Sequence, residues 1–217
     1  MPVAIADLPA LELQAERLID LGLHEKAGLT AGELRVAAFE GERTGGLLVI
    51  HPDLLRPSEL APLMEHAGKP GFVVEDMTDI DEFCPIEAAT PPEGSIYVVD
   101  DPQRGDDMAN WSPDEALPAL LAAGRSPLTL TEGIHWLLQQ PPVLERGHCF
   151  MTIGSRLEKS TGVWDSRVPA LWISNGTGRD GRARRDAPKV GWCWAGNRHT
   201  WLGFASAAGR RGMPADD

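Results

Sequence analysis

The chain has 217 residues, 42% hydrophobic and 24% charged, enough apolar material for an ordinary core and outside the composition of a disordered chain. Twenty basic against thirty-two acidic side chains leave a formal charge of −12, which argues against broad nucleic-acid binding and against docking on anionic membranes. No apolar run reaches the ~18 residues needed to span a bilayer, the start has no basic leader, and three sparse cysteines (Cys84, Cys149, Cys193) suit a reducing cytoplasm better than a disulfide framework.

In chain order, Leu11, Leu18, Ile19 and Leu21 recur near helical spacing, with Gly22 as the stop. Thr30 and Glu33 form a capping box that opens a second, short helix ended near Gly41. Leu47–Ile50 reads as a buried strand, Ser58 as a cap for a helix through Leu60 and Met64, and Gly71–Val74 as a short strand. Residues 75–95 are acidic and turn-rich, and Ile96–Val99 is the next strand. Two further boxes follow, Ser112/Glu115 and Thr129/Glu132; in the first, Pro113 suits the opening helical position, while Pro118 is expected to kink that helix or delay its start.

From Gly147 the texture changes to short strands at 148–153, 168–174, 189–195 and 198–205. Charge changes too: residues 1–140 hold 25 acids and 8 bases, whereas 141–217 hold 7 acids and 12 bases, together with five of the seven tryptophans. Either the two segments complement each other internally, or the basic one receives an anionic ligand. The expected fold is α+β: a helical N-terminal part with short strands, then a tryptophan-rich C-terminal antiparallel sheet, within one domain over 1–206 and a disordered tail over 207–217.

Gly196-Asn197 suits a two-residue hairpin loop whose first position has a positive φ. That loop pairs Trp194 with His199 and Trp192 with Trp201, and puts Val190, Trp192, Trp194, His199 and Trp201 on one face. This face is either core or the wall of a ligand site, with Arg198, Arg156 and Arg167 as the nearby cations.

The blocks DDPQRGDD (100–107), PDEALPA (113–119), RSPLTLTEG (125–133), HCFMTIGSR (148–156), RVPALWIS (167–174) and KVGWCWAGNRHTWLG (189–203) resemble those of an uncharacterised bacterial domain-of-unknown-function family. The resemblance covers most of the chain and implies no particular chemistry. Gly178–Arg185 looks like extra sequence between two of its blocks.

Other chemistries are less well supported by the residues. His148, His199 and Cys149 are the candidates for acid/base or nucleophilic roles, but neighbours on one strand face opposite ways, so His148 is poorly placed to activate Cys149. Cys193 and His199 would fall on opposite sides of the hairpin, which counts against zinc. Gly176–Gly181 matches a dinucleotide fingerprint by letter only, since a strand and not a helix follows. Asp100, Asp101, Asp106 and Asp107 flank Arg104 and read either as a cation or acid/base cluster or as a solvated loop. The expectation is a cytoplasmic module that holds a small molecule or peptide segment, with no cofactor or metal assigned. The alternative is an enzyme with a histidine acid/base assisted by carboxylates or Cys149.

Overall fold

The computed structural model describes residues 7–41 and 46–213. Three helices open the chain: α1 (Leu11–Asp20), α2 (Leu23–Lys26) and α3 (Ala31–Gly41). Leu11, Ala15 and Leu18 bury one stripe of α1, and Gly22, at φ 68°, turns the chain into α2. The Thr30/Glu33 box forms at the head of α3: the Glu33 carboxylate accepts from the Thr30 amide at 2.7 Å, and its own amide donates back to the Thr30 hydroxyl at 3.1 Å.

Among the remaining elements are β1 (Leu47–Ile50), α4 (Pro57–Leu60), β2 (Phe72–Val73), β3 (Ile96–Asp100), α5 (Pro113–Ala122) and α6 (Leu130–Gln139), followed by the late strands. These are β4 (Cys149–Met151), β5 (Arg167–Ile173), β6 (Pro188–Trp194), β7 (Leu202–Phe204) and β8 (Gly209–Gly212). Helix α5 begins at Pro113 and runs through Pro118, so the proline does not delay its start. The Ser112 and Thr129 boxes both close, with Glu115 and Glu132 accepting from the cap amides at 2.9 and 2.7 Å.

Two sheets dominate the α+β architecture. A three-stranded antiparallel sheet has the order β1-β3-β8, and a five-stranded one has the order β7-β4-β5-β6-β2. In the larger sheet, β4, β5 and β6 pair antiparallel, while β7 joins β4 and β2 joins β6 in parallel. Helix α6 lies between the sheets and is buried along its whole length. Its Gly133 allows the close approach, because a Cβ there would lie 2.6 Å from Thr152 and 2.8 Å from Leu171. Its His135 reaches the other way and accepts from the Ile50 amide of β1 at 3.3 Å.

Two expectations need correction. The 196–197 hairpin does not form, because β6 and β7 are separated by β5 and β4. β5 runs along one edge of β6 from Pro188 to Trp194 and β2 takes the other at Lys189 and Val190, while the chain beyond Trp194 continues to β7, which pairs with β4. Asn197 does close a turn on the Trp194 carbonyl at 3.0 Å, but Gly196 does not take the positive φ of such a loop, and the His199 carbonyl is held by the Asn110 amide. The expected tail is also ordered as far as it is described: Ser206–Ala207 pairs with Ser126–Pro127, and β8 completes the small sheet beside β3. Residues 214–217 of that tail, like the first six residues, lie outside the described residues.

Candidate functional site

Strand alternation assigns the aromatic residues to the two faces of the large sheet. The β5–β6 register sets Arg167 opposite Trp194, Pro169 opposite Trp192 and Leu171 opposite Val190. These residues share the face on which α6 packs through Gly133 and Leu171. Trp192 and Trp194 meet there edge to face, with centroids 4.5 Å apart, and Trp194 is 45% exposed.

The opposite face carries Trp172 beside Lys189, Ala170 beside Gly191 and Val168 beside Cys193. Gly191 has no side chain because the Trp172 ring occupies that space; a Cβ would fall against Cη2 of the indole. The Lys189 ammonium sits 4.7 Å from the Trp172 ring centroid, and it is ion-paired to Asp180 at 2.6 Å. Trp201, on the approach to β7, meets Trp172 edge to face at 6.1 Å. Trp192 and Trp201 therefore stand on opposite faces, and the seven residues expected around one site do not come together.

What does assemble is a cleft of about 410 Å³ walled by Trp172 and Trp201, with Cys149 and Cys193 lining it and Arg146 and Asn175 at its polar side. Arg146 donates to the Asn175 side chain and pairs with Asp186, which fixes the guanidinium at the edge of the cleft. Both thiols are pushed up to about 11 by burial, so they stay protonated near neutral pH. Cys149 donates its thiol to the Glu145 carbonyl at 3.3 Å. His199 packs on the outer side of Trp201 with ring centroids 5.3 Å apart, and desolvation lowers its pKa. Its Nε2 is buried without a hydrogen-bond partner among the described residues.

The other candidates are engaged elsewhere. Arg167 is held by Asp79 at 2.6 Å and Asp165 at 3.0 Å, and Arg198 pairs with Glu115. Arg156 donates to the Asp165 carbonyl at 2.9 Å, while burial pulls its pKa down. His148 lies 3.8 Å from Asp106, but Arg104 already holds both oxygens of that carboxylate, at 2.6 and 2.7 Å. Asp100 and Asp101 are likewise paired, with Arg211 and Arg125. Among the described residues no group of three or more His, Cys, Asp or Glu is arranged to hold a metal ion. No helix among them is long and apolar enough to cross a membrane.

Trp172, Arg146 and Asn175 complete the cleft but were not among the expected site residues, and Cys193 was weighed only as a zinc ligand. One local signal was available: Gly191 interrupts a strand of large residues, and a glycine in a strand marks close approach by another group. Which group approaches depends on the β5–β6 register, and that is not a local property.

Residues 17–213 match the Family of unknown function (DUF5701), and the chain belongs to that family. No curated protein and no solved structure matches the chain.

Proposed function

We propose that the protein binds a small molecule in the cleft between Trp172 and Trp201. The observation that carries this reading is the meeting of two half-buried indoles, one on β5 and one on the approach to β7, over a concave space of about 410 Å³. That size falls within the ~300–1,000 Å³ of small-molecule sites, which combine apolar walls with a few placed polar groups. The ligand that fits has a planar apolar part to lie against the indoles and an acceptor group directed at Arg146 and Asn175. The setting is the cytoplasm, a reading supported by three unpaired cysteines, one of them the exposed Cys84. The acidic net charge supports a small-molecule or peptide ligand over broad nucleic-acid contact.

An enzymatic reading has less support. The Cys149 thiol is protonated and bonded to a carbonyl, and the carboxylate beside His148 is already paired with Arg104.

Tryptophan fluorescence titrated with aromatic carboxylates and their neutral amides tests the proposal. A saturable change that disappears in Trp201→Ala and survives in Trp194→Ala is expected. No response to any of these compounds, or a response that Trp201→Ala leaves intact, would overturn it.

A further inference from the structure

The N-terminal helices carry a second surface, independent of the cleft. Helices α1 and α3 run antiparallel: Gly41 packs beside Leu11, and Arg35 pairs with Glu16 at 2.6 Å. Leu13 lies one turn before Glu16 on α1, and Phe39 lies one turn after Arg35 on α3. Both face solvent, Leu13 at 64% and Phe39 at 71% exposure, and Val36, one turn from Phe39, is 45% exposed.

Val36 in turn forms one flank of a groove of about 470 Å³ between α3 and the segment leading into β3. Ala37, Ile96 and Met213 contribute its apolar surface, and Glu33, Glu40 and Glu93 its charge; among the described residues no lysine, arginine or histidine lines it. Phe39 and Val36 therefore form a short exposed apolar strip on α3 beside a groove whose lining charges are carboxylates. Isolated exposed apolar residues are ordinary, but a contiguous strip beside a groove marks an interaction surface.

We infer that this face docks an amphipathic segment of another protein that presents lysine or arginine beside its apolar residues. The charge decides the occupant. A second copy of this chain would set Glu33, Glu40 and Glu93 close to identical carboxylates, whereas a basic amphipathic segment satisfies both the apolar strip and its rim.

The test uses the full chain and a fluorophore-labelled lysine–leucine amphipathic peptide, with its glutamate–leucine counterpart for comparison. Anisotropy should report saturable, salt-weakened binding of the basic peptide alone. Val36→Ser/Phe39→Ser should weaken it about tenfold or more, equivalent to ~1.4 kcal/mol. Glu40→Lys/Glu93→Lys should weaken it as well, while Glu82→Lys/Glu87→Lys, with the same change in net charge, should not. Circular dichroism melts confirm that each variant is folded. The inference is overturned by no binding of the basic peptide, by equal binding of the acidic one, or by insensitivity to the face substitutions. It is also overturned if sizing shows a dimer that Phe39→Ser dissociates, because the face then belongs to a second copy.

Discussion

Both ring nitrogens of His135 are committed inside the core. Its Nδ1–H donates to the Thr131 carbonyl at 2.9 Å and its Nε2 accepts from the Ile50 amide at 3.3 Å, an arrangement only the neutral ring satisfies. Burial accordingly lowers its pKa to about 4. Between about 6.5 and 4 the unfolded chain binds a proton that the folded chain refuses, so stability falls as pH drops through that window. His135→Gln should flatten the fall by up to about 3 kcal/mol, read from urea midpoints at pH 7 and pH 4.5. Gly191 makes a different demand, that of space. Gly191→Ala should displace the Trp172 indole, alter the near-ultraviolet dichroism and destabilise the fold by about 1–3 kcal/mol, with ligand response at the cleft lost. The thiols should separate by exposure: a chromogenic disulfide reagent at pH 7.5 should modify Cys84 first, then Cys193, with Cys149 slowest.

At the scale of elements, strand β1 is an edge strand that is buried along its length, and its outward amides are satisfied by side chains. Gln14 accepts from the Leu48 amide at 2.9 Å and donates to the Gly46 carbonyl at 2.8 Å, while His135 takes the Ile50 amide. At the opposite edge, β8 is held by Arg210, whose guanidinium meets the fully buried Glu132 carboxylate at 2.7 Å. Tyr97 also donates to Glu132, at 3.0 Å. Removing one partner strands a buried charge. Arg210→Met should therefore cost about 3–5 kcal/mol, and Arg210→Met/Glu132→Gln should recover part of that loss in denaturant melts. The capping boxes at Thr30, Ser112 and Thr129 were legible in the sequence because each is complete within four residues. The role of Glu132 as the partner of Arg210 was not, because that contact joins residues far apart along the chain.

Across the whole molecule, the acidic and basic segments are interleaved. Strand β2 of the acidic segment extends the large sheet, and β8 of the basic segment extends the small one. Ion pairs follow the same pattern, with Arg167 on Asp79, Arg179 on Asp76, Arg198 on Glu115 and Arg210 on Glu132. The loop Gly178–Arg185 is tied in this way to the acidic turn that follows β2, so the charge asymmetry is at least partly spent on internal complementarity. Because each of the two larger sheets draws strands from both segments, unfolding should be a single transition by both fluorescence and far-ultraviolet dichroism. Fragments 1–140 and 141–217 should each be unfolded alone; an independently melting fragment would refute this.

The sequence by itself determined the α+β class, the positions of most helices and late strands, and the family blocks, because apolar periodicity, caps and turn residues act over a few neighbours. Only the tertiary structure decided which strands pair and hence which tryptophans share a face. Every local feature at Gly196-Asn197 favours a hairpin. The returning chain nonetheless pairs at Leu202–Phe204 with β4 rather than with β6, and the choice of strand partner is settled by the whole sheet, not by the residues at the bend.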